Sequence, residues 1–380
     1  MAKESDIYDQ LVDQMLEGTG LKKASATNTL TACEYKVMTP FEVINCILGG
    51  GIPLSTVVHT YGKSKGGKST WIYQMLGIFQ KTYKNGLSFI LDMESSADPT
   101  RLNALGVNTD KVVVIPAQSI ESGFITLNNL LDKKMSNTKL KELPVFVIWD
   151  TISKGMASDD SKQSRVNAQD RARIIKNRLT ELEIKIGRQP FLLCLLNQAV
   201  NRTDLYGHTT VVAGGGTALE HDMKFSIKVD PGKNEFDESK TMVTYRNSTF
   251  SLDKSKISPE IYHIPFKINV MEGGIIDTEE SFLLYLIDCL KLIPTLPSGW
   301  YNFDVLIEKF KEFGNADIVS YLEKNNKKRR FEELKSFTQD SKTFYDILKI
   351  ALCNYISARY SLQRVIIKPY LTSLEDGLKF

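Results

Sequence analysis

The sequence predicts an α/β fold in which a mostly parallel central sheet carries a phosphate-binding edge. Three observations predict it: a glycine-rich phosphate loop at residues 62–69, short apolar runs that alternate with helical patterns, and longer alternating segments after Asp230. Continuous apolar strands separated by helices are typical of a parallel sheet covered on both faces. Because 380 residues exceed one ordinary core, we also expect a smaller appended domain.

Three parts are expected along the chain. Residues 1–36 predict an N-terminal helical and oligomerisation segment, because apolar side chains recur at helical spacing from Ile7 onward. That helix packs either on its own domain or on a neighbouring subunit, and the pattern leaves both readings open. Residues 37–293 predict the α/β core, and residues 294–380 predict a small helical C-terminal domain.

The core strands follow from the apolar runs. Short continuous runs predict parallel strands, and longer alternating segments predict antiparallel strands added to one side of the sheet. The parallel strands are expected at Val57–Tyr61, Leu87–Leu91, Val112–Ile115, Val145–Trp149, Phe191–Leu196 and Phe225–Val229. The antiparallel strands are expected near Met242–Leu252 and Tyr262–Val270.

Composition narrows the class of protein. The net charge of +3 arises from large opposing totals, so nucleic-acid binding would depend on local basic patches. The cysteines show no metal-binding spacing, and they indicate reduced thiols in the cytoplasm. There is no N-terminal signal segment and no uncharged apolar run of about 18 residues, so neither secretion nor a membrane is expected.

The most specific motif is the phosphate loop between a predicted strand and a predicted helix. Its glycines allow backbone N–H groups to surround phosphates, Lys68 can reach the β and γ oxygens, and the Ser69 hydroxyl can ligate Mg²⁺. We therefore expect a nucleoside triphosphate, taken to be ATP, and Mg²⁺ as ligands. The predicted ATP-binding residues of the loop and the following helix are Gly62, Lys63, Ser64, Lys65, Gly66, Gly67, Lys68, Ser69 and Thr70.

Polar residues after three other strands supply candidates for the hydrolysis step. Asp150 ends the strand at Trp149 and is the predicted second Mg²⁺ contact, although an aspartate at such a turn can instead cap a helix. Glu94 is the predicted general base, with Asp92 as its rival. Gln198, just after Asn197, can sense the γ-phosphate through its amide, or it satisfies a loop backbone.

Two polar segments follow these strands and predict contacts to a second ligand. The segments are Lys154–Asn167 and Ala199–Thr217, and we expect them to become ordered when nucleotide and that second ligand bind together. Arginine side chains and glycine N–H groups can contact phosphates, whereas each arginine can equally form a surface ion pair. The candidates are Arg165, Arg173, Arg202, Gly214, Gly215 and Gly216.

In their order, these motifs resemble RecA-type recombinases, and most closely the bacteriophage UvsX-type members. The resemblance runs from about Met38 to Trp300. Beside the phosphate loop, it includes Phe41-Glu42-Val43-Ile44-Asn45, Leu91-Asp92-Met93-Glu94, Asp98-Pro99, Trp149-Asp150-Thr151, Leu196-Asn197-Gln198, Gly214-Gly215-Gly216-Thr217, Lys254-Ser255-Lys256, Gly273-Gly274-Ile275 and Gly299-Trp300-Tyr301.

The resemblance implies a DNA-dependent ATPase that forms filaments on single-stranded DNA and exchanges strands with a homologous duplex. It implies that Lys254 and Lys256 are catalytic cations that reach the ATP of the neighbouring subunit. It also implies that Asp98 and Arg101 contact the nucleotide, and that the candidate residues of the two polar segments contact DNA. Arg101 replaces the aromatic residue that often stacks on adenine in this family, and a guanidinium can also stack on a base plane. Single-strand-binding and loading proteins are further expected partners.

Two other functions remain open at this stage. A hexameric helicase built on the same core would share Lys68, Asp150 and a glutamate base. A recombination mediator would bind nucleotide only to stabilise an assembly. In the C-terminal part, the basic run from Lys324 to Arg330 is either a solvated turn or a contact for duplex DNA.

Overall fold

A computed structural model describes residues 35–117, 119–152, 168–203, 209–214 and 223–378. The N-terminal helix predicted from Ile7 lies outside these residues. Arg165, Gly215 and Gly216 also lie outside them, and only the backbone is described at Arg173 and Arg202.

The described chain alternates strands and helices through the core and ends in helices. The strands are β1 Lys36–Val37, β2 Ile52–Pro53, β3 Thr56–Gly62, β4 Leu87–Asp92, β5 Val112–Pro116, β6 Val145–Asp150, β7 Phe191–Thr203, β8 Thr209–Ala213, β9 Phe225–Phe236, β10 Val243–Ser255, β11 Ile261–Asn269 and β12 Ile275–Asp277. The α-helices are α1 Glu42–Ile47, α2 Lys68–Thr82, α3 Pro99–Ala104, α4 Ile120–Ser136, α5 Thr138–Lys141, α6 Ala168–Ile186, α7 Thr278–Leu284, α8 Asp304–Glu312, α9 Ala316–Lys324, α10 Phe331–Asp340, α11 Lys342–Arg359 and α12 Ser361–Asp376.

The predicted mixed sheet is confirmed. Its strand order is β12-β11-β10-β9-β3-β7-β6-β4-β5, and β8 pairs with β7. The six strands from β9 to β5 in this order run parallel to one another. Strands β10, β11 and β12 extend the sheet in antiparallel pairs, which is the arrangement that the change of pattern after Asp230 predicted.

The position of β6 between two hydrophobic clusters explains why its sequence is continuously apolar. Phe146 and Ile148 belong to the hydrophobic cluster on one face of the sheet. Val147 and Trp149 belong to the cluster on the other face, with side chains of α4 and α6. Successive side chains of a strand point to opposite faces, so a strand buried on both sides has no polar position.

The strand register brings the predicted site residues to one edge of the sheet. Gly62 pairs with Gln198 across β3 and β7, and Asp92 pairs with Asp150 across β4 and β6. Because parallel strands end at the same edge, the phosphate loop and both carboxylates lie together there.

The structure corrects the predicted end of the strand that carries Gln198. We expected the strand to end at Leu196 and a loop to follow, but β7 continues to Thr203 and forms an antiparallel hairpin with β8. Residues Thr209 to Val212 are all β-branched, which favours extended backbone. The segment predicted as a loop therefore starts as a continuation of the sheet.

The C-terminal helices share a hydrophobic core with α1, the first of the described helices. Helix α11 packs on α1, and one cluster contains Ile44 of α1 together with Phe344 and Leu348 of α11. Among the described residues, no helix combines the length and the apolar character needed to cross a membrane.

Candidate nucleotide-binding site

The phosphate loop is built from β3, which ends at Gly62, and α2, which begins at Lys68. Gly67 caps the helix with a φ of 98°, in the left-handed region where a Cβ would be strained. At Gly62 a Cβ would lie 1.9 Å from the Val229 carbonyl oxygen, so only glycine allows β9 to pass this close. The α2 N-terminus therefore opens onto the loop, where its N–H groups favour an anion.

Lys68 lies across the loop that it follows. Its Nζ donates to the carbonyl oxygens of Gly62 and Lys63, each at 2.9 Å. Partial burial lowers the pKa of Lys68, and the nearby Asp150 and Glu94 carboxylates oppose that shift. The ammonium is thus held at the mouth of the loop, where it can exchange a carbonyl for a phosphate oxygen.

Asp150 and Ser69 form an oxygen pair suited to a divalent cation. The Ser69 hydroxyl donates to Asp150 Oδ2 at 3.1 Å, and the Tyr73 hydroxyl donates to the same oxygen at 2.9 Å. Burial raises the pKa of Asp150, while both hydrogen bonds oppose the shift. Oxygen ligands of this kind are those that Mg²⁺ prefers, and the buried carboxylate would gain a counter-charge from it.

Asp92 and Glu94 have different roles in the loop after β4. Asp92 Oδ1 accepts from the backbone N–H groups of Glu94 and Ser96 at 3.0 and 3.2 Å, and Oδ2 accepts from Ala97 N–H at 3.0 Å. Both oxygens of Asp92 therefore fix the loop backbone. The Glu94 carboxylate lines the cleft instead, and Gln198 Nε2 lies 3.4 Å from its Oε1.

These groups surround a cleft of about 530 Å³ at the sheet edge. The predicted residues that line it are Ser64, Lys65, Gly67, Lys68, Ser69, Thr70, Glu94, Arg101, Asp150 and Gln198. Sequence reasoning missed the side of the cleft that comes from distant strands. Its residues are Arg246, Ile268, Val270, Gly273 and Gly274, of which only the two glycines stood out in the sequence.

Arg101 reaches the cleft from α3. Its Nη2 lies 3.5 Å from the Thr70 hydroxyl oxygen, and its guanidinium carbon lies 6.0 Å from the centre of the Tyr73 ring. Asp98 is the N-cap of the same helix, and its Oδ1 accepts from Arg101 N–H at 2.9 Å. The cap accounts for one Asp98 oxygen, and its predicted nucleotide contact stays a prediction.

Lys254 and Lys256 lie away from the phosphate loop of their own chain. Lys254 pairs with Ser226 across β10 and β9, and Lys256 N–H donates to the Lys224 carbonyl at 3.2 Å. Ser226 pairs in turn with His59 of β3, and Phe225, which pairs with Ser255, also pairs with Val58. These levels are roughly 10 and 13 Å along the strand from Gly62.

A buried polar chain underlies the β7–β8 hairpin and was missed in the sequence. Asn197 Nδ2 donates to the Gly214 carbonyl at 2.8 Å and lies 3.2 Å from His59 Nε2. His59 Nδ1 lies 3.3 Å from the Ser226 hydroxyl, and complete burial lowers the pKa of His59 to about 4. Gly214 N–H also donates to the Gln198 carbonyl at 2.8 Å, so the hairpin is fastened beside Gln198.

Fold and site together define a P-loop nucleotide-binding protein of the α/β class. The family model described as the RecA N-terminal domain matches residues 29–275 of this chain. The chain therefore belongs to the RecA family.

Curated relatives agree with this placement. The chain is 24% identical over 293 residues to Protein RecA of Synechocystis sp., which covers 76% of this chain and 77% of the relative. It is 22% identical over 303 residues to Protein RecA of Malacoplasma penetrans, with 78% of this chain and 84% of the relative covered. Protein RecA of Gloeobacter violaceus is 23% identical, with 77% and 74% covered.

Proposed function

We propose that this protein is a DNA-dependent ATPase that forms filaments on single-stranded DNA and catalyses homologous pairing and strand exchange in recombination, repair and recombination-dependent replication. One observation carries the proposal: Lys68, Asp150, Glu94 and Gln198 line a single cleft, and the hairpin fastened beside Gln198 leads away from it. Membership of the RecA family supports the same conclusion.

Nucleotide hydrolysis follows from the residues of the cleft. Ser69 and Asp150 would hold Mg²⁺, which supplies positive charge to the β- and γ-phosphates. Lys68 and the α2 N-terminus hold the phosphate chain. Glu94 accepts a proton from the attacking water, and Gln198 orients that water or the γ-phosphate through its amide.

Coupling to DNA is proposed to run through Gln198. Its side chain approaches Glu94, while its backbone carbonyl holds Gly214 at the base of the β7–β8 hairpin. A change in the Gln198 contacts on hydrolysis would therefore alter the hairpin support. Arg165, Arg173, Arg202 and the glycines 214–216 remain the proposed DNA contacts of these two segments.

Self-association is proposed to complete the ATP site. Lys254 and Lys256 lie away from the phosphate loop of their own chain, which supports a role for both lysines at the nucleotide of a neighbouring subunit. ATP would then bridge two subunits and link filament assembly to DNA affinity.

Within the family we propose a place among the bacteriophage UvsX-type members, supported by the Gly273-Gly274-Ile275 and Gly299-Trp300-Tyr301 segments. Proposed further partners are single-strand-binding and loading proteins, in the cytoplasm.

Strand exchange tests the proposal directly. The protein is mixed with ATP, Mg²⁺ and single-stranded DNA, and a labelled homologous duplex is offered beside a heterologous one. We expect displacement only from the homologous duplex, and no displacement with Lys68→Ala. Unwinding of a forked duplex without homology would instead indicate a helicase, and nucleotide binding without DNA-stimulated hydrolysis would indicate a mediator.

A further inference from the structure

Arg246 lies on the wall of the cleft that faces the phosphate loop. It pairs directly with Ile268 across β10 and β11, and directly opposed residues of an antiparallel pair point to the same face of the sheet. Ile268 Cδ1 lies 2.6 Å from the point that a Cβ on Gly67 would occupy. The face that carries Arg246 is therefore the face that covers the loop, and both residues line the cleft.

The Arg246 guanidinium is available for a ligand. Among the described residues, its side chain has no ion pair and no hydrogen-bond partner. Neighbouring polar side chains on these strands are paired. Lys267 lies 2.9 Å from Glu235 and 2.7 Å from Glu280, and Asn247 donates to Glu235 at 3.0 Å.

The carboxylates that share the cleft do not account for the arginine. Asp150 already accepts from Ser69 and Tyr73, and Gln198 is the described neighbour of Glu94. The Arg246 side chain is partly buried and lines the cleft, so its donors are open to a ligand bound there. Its planar set of donors matches the oxygens of a phosphate, and such charge-assisted bonds are among the strongest in proteins.

We propose that Arg246 donates to the phosphate chain of the nucleotide bound by its own chain, as a further binding residue opposite Lys68. This inference rests on the proposed ATP-binding function of the cleft. It makes the antiparallel strands β10 and β11 part of the nucleotide site, so nucleotide binding would fix the position of β10, which also carries Lys254.

The test compares nucleotide affinities of Arg246→Gln, Arg246→Lys and the wild type in Mg²⁺ buffer. We expect Arg246→Gln to raise the Kd for ATP by roughly 10- to 100-fold and to weaken its salt dependence, with Arg246→Lys in between. Adenosine, which has no phosphate, should bind all three proteins equally. The matched control is Lys233→Gln, because Lys233 is an exposed cation of the preceding strand, and it should bind ATP as the wild type does.

Three outcomes overturn the inference. An unchanged ATP affinity in Arg246→Gln, with a large loss in Lys68→Ala, would remove Arg246 from the site and leave the proposed function intact. An equal loss of ATP and adenosine binding would show that Arg246 supports the cleft rather than the phosphates. If the wild type bound no ATP at all, the proposed function would fail, and this inference would fail with it.

Discussion

Basic side chains have different surroundings in two regions of the molecule. One region is the nucleotide edge, defined by the lining residues of the cleft, and the other is formed by the C-terminal helices α8–α12. Beside the C-terminal helices, the two arginines of the basic run lie against aromatic rings. Arg329 lies 4.3 Å from the centre of the Phe337 ring and 5.0 Å from that of Phe303, and Arg330 lies 4.2 Å from that of Trp300. At the nucleotide edge, Lys68 rests on loop carbonyls.

The comparison shows that a basic run is not a function by itself. Both regions contain a run rich in basic residues: lysines at residues 63–68, and lysines and arginines at residues 324–330. In the first run, the glycines leave the backbone of the loop accessible, and the Lys68 ammonium is held by the carbonyl oxygens of Gly62 and Lys63. In the second, aromatic rings take up the arginines, which become part of the packing. The available charge is set by the surroundings, not by the composition.

The largest expected effect is at Glu94. Replacement of Glu94 by Gln removes the proposed base but keeps the shape of the side chain, so ATP turnover on DNA should fall by roughly 10²- to 10⁴-fold. Nucleotide affinity should change little. Steady-state turnover and binding of a fluorescent ATP analogue measure the two quantities. Near-normal turnover would shift the role of base away from Glu94.

Lys68→Ala should lower the rate of ATP hydrolysis by roughly 10²- to 10³-fold, because a cation that stabilises the transferred phosphate is lost. The matched control is Lys328→Ala, which removes an exposed lysine from the second basic run. Turnover assays on both variants, with circular dichroism to verify folding, provide the measurement. Equal rates of ATP hydrolysis in the two variants would show that Lys68 in the phosphate loop matters no more for hydrolysis than Lys328 in the C-terminal basic run.

Unlike the substitutions at Glu94 and Lys68, Arg329→Ala should affect the stability of the fold rather than the rate of ATP hydrolysis. The guanidinium stacks on two rings and donates to the Asn325 and Lys327 carbonyls at 2.9 and 3.0 Å. Its loss should lower the free energy of unfolding by about 2 kcal/mol, measured by urea unfolding. Lys328→Ala should change it by less than about 0.5 kcal/mol. A stable Arg329→Ala variant would show that the ring contacts contribute little.

Lys254→Ala combined with Lys256→Ala should reduce DNA-stimulated turnover by about tenfold or more, since both proposed cations of the neighbouring site are lost. Binding of ATP to the isolated subunit should be unchanged, because the phosphate loop of the same chain is distant. Mixing this variant with Lys68→Ala should restore part of the activity at mixed interfaces. Full DNA-stimulated turnover in the double variant would contradict an ATP site shared between subunits.

The smallest effect is expected from Lys327→Ala with Lys328→Ala. These two exposed lysines are the part of the second run left open to solvent beside its packed arginines. If they guide duplex DNA, capture of the duplex should weaken a few-fold, and the salt dependence of binding should become shallower by about two charges. Single-strand binding should stay the same. An equal loss for both forms of DNA would exclude this division of labour.

The sequence by itself determined the class of fold and the part of the candidate site that is formed by the phosphate loop, Glu94 and Asp150. The phosphate loop, the strand that ends at Asp150 and the loop with Glu94 were all predictable, because each is written in consecutive residues with a local physical requirement. The same reasoning ended the strand before Gln198 too early, since antiparallel pairing of β7 with β8 extends it. Pairing partners are not visible in one strand alone.

Only the tertiary structure decided which distant residues complete the cleft. Arg246 and Ile268 reach the phosphate loop because the register of β10 and β11 sets them opposite each other and over Gly67. His59 became the partner of Asn197 through the pairing of β3 with β7. Arg329 became a packing residue because the fold surrounds it with aromatic rings. In each case the chemistry of the residue was fixed by its sequence, and its role was fixed by neighbours that only folding brings within reach.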